Sequence, residues 1–189
     1  MSKAVMISIR PKWCELIASG KKTIEVRKSK PKLETPFKCY IYCTRSKKHR
    51  NLREVDETFG GGMVIGEFVC DRILDILVSC SDPNMKGYPF PGTGLTDREI
   101  MDYFGNGKTG YGWHISKLVI YDKPQPLNWF VTEGDCDCMN CKKCSWFNRG
   151  NGYNVEDDCD LGYEAIRMKN SLKPLFRPPQ SWCYVEELT

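Results

Sequence analysis

Between Gly20 and Lys28 the chain reads Gly-Lys-Lys-Thr-Ile-Glu-Val-Arg-Lys. A cation at 22, a carboxylate at 25 and a second cation at 27 fall within six residues. In a strand the side chains alternate between faces, so Ile24 and Val26 are expected to face a core. Thr23, Glu25 and Arg27 then share the opposite face. Three hydrogen-bonding groups in a row, flanked by Lys21, Lys22 and Lys28, suit a polar, anionic ligand. The plainer alternative is an exposed strand whose Glu–Arg pair contributes little. Acid–base work is also open to these residue types, with Lys22 or His114 paired with Glu25 or Glu67. No nucleophile–base–orienter set follows from the spacing.

A second set of reactive residues lies late in the chain. Cys136, Cys138, Cys141, Cys144 and Cys159 crowd into a segment expected to be an insertion spanning 128–175. Thiolates at Cys-x-x-Cys spacing select zinc or an iron–sulfur cluster. Cys138, Cys141, Cys144 and Cys159 form the favoured ligand set, with Cys136 the rival fourth ligand. Four protein ligands would close the site, making the zinc structural. An iron–sulfur cluster and an unmetallated segment are the alternatives. Trp146, Phe147 and Tyr153 would pack on the site or stack on bases. The remaining cysteines (14, 39, 43, 70, 80 and 183) sit mostly in apolar surroundings and are expected to act as small buried hydrophobes.

The elements that must position these residues follow from periodicity. Ala4–Ile9 reads as a strand. Pro11 suits a first helical turn, Trp13, Leu16 and Ile17 make a core stripe, and Gly20 ends the helix. Ser29–Pro36 is a loop. Phe37–Thr44 alternates, with Phe37, Cys39, Ile41 and Cys43 on one face and Tyr40, Tyr42 and Thr44 on the other. Met63–Ile73 is a strand in which Gly66 marks a bulge or a close approach. Thr96 and Glu99 make a capping box ahead of Ile100, Tyr103 and Phe104. Gly105–Gly112 reads as a glycine-rich loop, Trp113–Tyr121 as a strand that Pro124 breaks, and Ser181–Glu186 as the last strand. The fold class is therefore α+β, mostly β, with two short helices, and residues 1–189 form a single domain.

Charge narrows the partners. The chain carries a net +4, but residues 1–53 hold 15 Lys/Arg against 3 Asp/Glu, and the remainder is acidic. Such asymmetry favours an anionic partner for the first third. No apolar run is long enough to cross a membrane, no secretory leader is visible, and a cytoplasmic protein is expected.

Ser8-Ile9-Arg10-Pro11-Lys12, a short helix, and then Gly20–Arg27 resemble the opening of an ASCH domain, the activating-signal-cointegrator homology domain. Phe37–Thr44, the Gly66-Glu67 strand and Pro178–Val185 are similar to its later strands. The likeness covers about residues 1–125 and 176–187. It implies a small PUA-like β-barrel with a cleft between the first helix and the second strand. By the same resemblance Lys22 matches the family lysine of a Gly-x-Lys-Thr motif, and Arg27 the family arginine. Hydrolytic members place a threonine nucleophile where this chain has Glu25, so binding is the property that carries over. The expected ligand is single-stranded RNA or a nucleotide. Lys12, Lys21, Lys22, Arg27, Lys28, Arg45 and Lys47 would meet phosphates, with Thr23 and Glu25 beside them, and Tyr42, Trp113 or Trp182 would stack on bases. The alternatives are a hydrolase of a modified nucleoside or RNA, in which Lys22 and Glu25 do the chemistry, and a protein-interaction adaptor using the zinc-bearing insertion.

Overall fold

The computed structural model describes residues 2–45, 60–77, 91–105, 108–133 and 172–188. The Cys136–Cys159 cluster, Cys80, Lys47, Trp146, Phe147 and Tyr153 lie outside these segments. Strands β1 (Lys3–Ile9), β2 (Ile24–Arg27), β3 (Phe37–Cys43), β4 (Val64–Leu77), β5 (Thr109–Gln125) and β8 (Trp182–Glu186) form one six-stranded sheet in the order β2-β5-β4-β3-β1-β8. Only β1 and β3 run parallel; every other neighbouring pair is antiparallel. A separate two-stranded ribbon pairs β6 (Val131–Glu133) with β7 (Leu172–Pro174), with Glu133 opposite Leu172.

The expected barrel is not formed by the backbone ladder. Among the described residues the sheet is open, with β2 and β8 at its two edges. Both faces of its central strands are nevertheless buried. One face of β1 and β3 supplies Val5, Ile7, Ile9, Cys39 and Ile41 to the main core, together with Phe68 and Trp113. The other face supplies Met6, Tyr40 and Tyr42 to a second cluster. Phe130, fully buried beyond the 3-10 turn Leu127–Trp129, covers that second face and meets the Tyr40 ring edge-on at 4.8 Å. The alternation predicted for β3 holds, but what it separates is one core from another.

Helix α1 (Pro11–Ala18) buries Cys14 and Ile17 and ends as expected, with Gly20 at φ 72°. The capping box of α2 (Asp97–Phe104) is complete: Glu99 N–H donates to Thr96 Oγ1, and the Thr96 N–H donates to the Glu99 carboxylate. Ile100 and Phe104 pack with Val26 and Ile76 into a third, smaller cluster.

Two expectations about β5 need correction. The stretch read as a glycine-rich loop ends in strand, because β5 begins at Thr109. Gly110 and Gly112 are strand residues whose missing side chains leave space taken by the Phe104 ring and by Ile24 and Ile76; glycine here marks close packing, not a turn. Nor does Pro124 end the strand. Pairing with β4 jumps from Gly66↔Ile120 to Val64↔Gln125, so the proline falls in an irregularity where no ladder N–H is needed.

Cys14, Cys39, Cys43 and Cys70 are buried and form no disulfide among the described residues, and Cys183 is half-buried. Burial pushes Cys70 up to about 12 and Cys183 up to about 11, leaving both protonated and inert at neutral pH.

Gly66 sits at the bulge with its open side against the Val119 carbonyl of β5. A methyl group there meets backbone that cannot rotate away. Gly66→Ala is expected to lower unfolding free energy by about 1–3 kcal/mol in urea titration, and an unchanged midpoint would contradict this packing.

Candidate nucleotide-binding cleft

Strand β2 carries the chemistry, and its polarity is the reverse of the sequence expectation. Glu25 pairs opposite Trp113 and Arg27 opposite Tyr111. Residues directly opposite share a face, and Trp113 is fully buried in the main core. Glu25 and Arg27 therefore point into the sheet's concave interior, while Val26 points out beneath α2. All four residues of β2 are buried. Thr23, just before the strand, is exposed, so the expected row of three is in fact an exposed threonine and two buried ions.

Lys22 joins them from the turn after α1. Its ammonium is 2% exposed and donates to the carbonyl oxygens of Ile24 at 2.8 Å and Thr93 at 2.6 Å. It stands 3.2 Å from Glu25 Oε2, while Glu25 Oε1 takes Arg27 Nη2 at 2.9 Å. Arg27 Nη2 also donates to the Ser8 carbonyl at 2.7 Å, and Nη1 lies 3.5 Å from Ser181 Oγ. The guanidinium thus bridges β2, at one end of the open sheet, to β1 and the approach to β8 at the other. Ser8 reinforces the far side, its hydroxyl donating to the Pro179 carbonyl at 2.6 Å. The gap that backbone pairing leaves open is spanned by side-chain ions.

Burial of ions is expensive unless each is paired and hydrogen-bonded. Here the pairing is incomplete on the side that matters. Although Oε2 of Glu25 is at ion-pair distance from Lys22, it accepts no hydrogen bond of good geometry, and Arg27 Nε has no partner. With Lys22 protonated the three groups carry one excess positive charge. Burial lowers the proton affinity of Lys22 below its ordinary 10.5, and the Glu25 carboxylate opposes that shift.

These groups form the floor of a cleft of about 710 Å³. Trp13 from α1 and Tyr103 from α2 line its sides, and Pro178–Ser181 cross its far end. Arg10, the exposed N-cap residue of α1, lies at the mouth and makes no ion pair among the described residues. Glu99 and Asp102 of α2 bring opposing charge to the rim, and Glu99 is held 3.6 Å from Lys12. A smaller cavity of about 330 Å³ beside β8 is lined by Lys3, Thr132 and Glu186 and holds none of the unpaired buried atoms.

The other expected ligand contacts are distributed less favourably. Lys12 is mostly exposed, near the rim, and Lys21 and Lys28 are exposed to either side of the buried set. Arg45 is exposed and packs against Gly62, and it does not line the cleft, although its neighbour Thr44 does. Tyr42 and Trp113 are buried within the core clusters and cannot offer a face to a base. Trp182 stacks beside Trp113 and Tyr184 and donates Nε1–H to Ser29 Oγ at 3.1 Å. His114 lies outside the cleft, its Nδ1 2.6 Å from Asp71 Oδ1. Glu67 accepts from the Tyr121 hydroxyl at 2.6 Å and pairs with Lys38. Sequence reasoning missed Ser8, Arg10, Trp13, Tyr103 and Ser181 as cleft residues. Of these, Ser8 and Ser181 sit in stretches already singled out, but nothing in their spacing revealed that they meet across an open sheet.

Residues 7–82 match the family model of the ASCH domain. Over that segment the chain is similar to an ASCH domain. The crystal structure of the ASCH protein from Zymomonas mobilis superposes with a TM-score of 0.55 at 19% identity, covering 97% of this chain and 88% of that one. A tyrosine-to-phenylalanine variant of the same bacterial protein superposes at 0.54 with 16% identity, covering 98% and 92%. A serine-to-alanine variant gives 0.54 and 17%, covering 97% and 89%. At such identity the likeness extends to the fold. No curated protein sequence matches the chain. Among the described residues no helix is long and apolar enough to cross a membrane, and no cluster of metal-ligating side chains occurs.

The buried set makes two stability predictions. Glu25→Gln leaves two cations facing each other without a counter-ion, and is expected to cost about 3–5 kcal/mol. Denaturant titration checks it, and a loss under 1 kcal/mol would mean that the ions are solvated. The second concerns pH. Lys22 loses its proton in the folded state below 10.5, where the unfolded chain still holds it, so the folded state gains stability as pH rises across that interval. The stability difference between wild type and Lys22→Met is therefore expected to move in favour of wild type toward pH 10.5. A pH-independent difference would contradict the burial of a charged amine.

Proposed function

We propose that the cleft between α1 and β2 binds one nucleotide of a single-stranded RNA, or a free nucleotide. The observation that carries this reading is the unfinished pairing among the cleft-lining ions: Glu25 Oε2, though 3.2 Å from Lys22 Nζ, accepts no hydrogen bond of good geometry, and Arg27 Nε has no partner, both atoms being buried. A nucleobase edge or a phosphate with an adjacent hydroxyl supplies both a donor and an acceptor, whereas a purely apolar ligand supplies neither. The excess positive charge of the three ions, with Arg10 at the mouth, favours an anion. Trp13 and Tyr103 add apolar surface to the cleft walls for a base to lie against. The volume suits a nucleoside and not a duplex. The ASCH domain, a PUA-like fold often linked to RNA binding, agrees with this reading. A cytoplasmic location and a zinc held by Cys138, Cys141, Cys144 and Cys159 belong to the same proposal; metal analysis of protein purified without added metal tests the latter.

A hydrolytic reading has one observation in its favour. Lys22 is a buried amine with lowered proton affinity beside a carboxylate, which suits proton transfer near a bound nucleoside. Should turnover of acylated nucleosides or short RNAs be detected, Lys22→Ala would lower kcat by about 100-fold. A raised KM with kcat intact would assign Lys22 to positioning alone.

Binding itself is tested by titrating labelled single-stranded RNA at two salt concentrations. Contact with about three phosphates gives a slope near −2 in log K against log salt. Arg10→Ala, which removes an exposed side chain without an ion pair, is expected to weaken binding several-fold, and Lys123→Ala on the far end of β5 is not. Equal affinities for wild type and Arg10→Ala, or no binding at low salt, would defeat the proposal.

A further inference from the structure

Immediately after Arg27 the chain bends at Lys28 and leaves the sheet as an irregular segment, residues 28–32, that is pinned at Ser29, Pro31 and Lys32. Ser29 Oγ accepts from Trp182 Nε1 at 3.1 Å, Pro31 is buried, and the Lys32 N–H donates to the Tyr184 hydroxyl at 2.7 Å. Trp182 and Tyr184 are themselves packed on the main core, ring to ring at 5.4 Å. The segment is thus anchored along one side over its length, and Lys28 and Lys30 remain exposed.

Each of these lysines is held over an aromatic ring. Lys28 Nζ lies 5.0 Å from the Tyr103 ring centre, and Lys30 Nζ lies 4.9 Å from that of Tyr111. Neither has a carboxylate partner among the described residues. Tyr103 lines the cleft, and Tyr111 stands opposite Arg27 in the β2–β5 register. The two cations therefore continue outward from the cleft floor in the order Arg27, Lys28, Lys30. A ring beneath an ammonium fixes its position and reduces the rotamer freedom lost on binding. It leaves the N–H groups that face solvent unused. Two residues of chain advance at most about 7 Å, within the phosphate-to-phosphate step of an extended single strand.

We propose that residues 28–32 form a phosphate track, on which Lys28 and Lys30 hold the backbone of nucleotides adjoining the one in the cleft. This rests on the cleft reading and adds to it a polarity of exit and a minimum length: the protein recognises a strand of about three nucleotides over a free nucleotide. The lysine ammonium groups contact phosphate oxygens and not base edges, so the added affinity is independent of sequence.

The test is a titration of full-length protein with uridine 5′-monophosphate and with oligouridylates of two, three and six residues. In wild type, affinity is expected to rise with length up to about three nucleotides and then level. In the double variant Lys28→Ala/Lys30→Ala, the rise in affinity from monophosphate to trimer should flatten by about 10-fold or more, and the salt slope for the trimer should fall by about 1.4, at ~0.7 per phosphate contact. Thermal melting shows whether the double variant is folded, and both side chains are exposed. A length-dependent gain that survives in the double variant overturns the track while leaving the cleft intact. Absence of monophosphate and oligonucleotide binding alike removes the cleft reading and the track with it. Equal competition by polyglutamate of matching charge would also overturn the proposal, since it would make the lysines a general anion patch.

Discussion

Glu25 is a carboxylate placed almost out of reach of water between two cations, and the arrangement around it follows from that placement. An ionised carboxyl group cannot be buried alone, because the loss of its hydration exceeds what a core offers. Lys22 and Arg27 supply the compensation, and each must then be satisfied in turn. Lys22 does so through the carbonyls of Ile24 and Thr93, which ties the segment after residue 90 to the start of β2. Arg27 does so through the Ser8 carbonyl, which ties β2 to β1 across the mouth of an open sheet. One buried acid thereby fixes the positions of α1, β2 and the 91–95 segment relative to β1.

The same constraint produces the cleft. A sheet closed by backbone pairing would have left no opening at this point. Here β2 and β8 stay apart, and the space between them is bounded by ions and by Pro178–Ser181. Side-chain closure is specific but leaves polar atoms over: Glu25 Oε2 and Arg27 Nε, in residues that line the cleft, are buried without a well-formed hydrogen bond. In a well-packed protein such atoms are rare, and here two of them belong to residues lining the same cavity of about 710 Å³.

Much of this was legible in the sequence. The alternation in Phe37–Thr44, the Thr96–Glu99 box, the close approach at Gly66 and the end of α1 at Gly20 each follow from a local rule, and local rules hold where neighbours agree with them. The likeness to an ASCH domain was legible through Ser8–Lys12 and Gly20–Arg27. What failed is more instructive. A period of two separates the faces of β2 but does not say which one is inside, and hydrophobicity alone assigned Ile24 and Val26 to the main core. The strand lies between that core and helix α2, so both of its faces are buried, and the ions took the inner one. Gly110 and Gly112 were read as a loop because a glycine's partner in packing is invisible in sequence: the Phe104 ring and the Ile24 side chain lie where their side chains would be. Tyr42 and Trp113, attractive as stacking residues by type, are core residues because the sheet has no solvent-facing side at their positions.

The central claim is that the cleft floor is completed by a ligand, and the Arg27 Nε–H reports on it directly. Its proton is buried and without an acceptor in the ligand-free protein, so its NMR resonance should be resolved and should lie upfield of a hydrogen-bonded guanidinium. Titration with a nucleoside monophosphate is predicted to move that resonance downfield, saturably, with the same midpoint as total binding. A resonance that stays in place while the ligand saturates the protein would show that the nucleotide binds elsewhere, and would contradict the account.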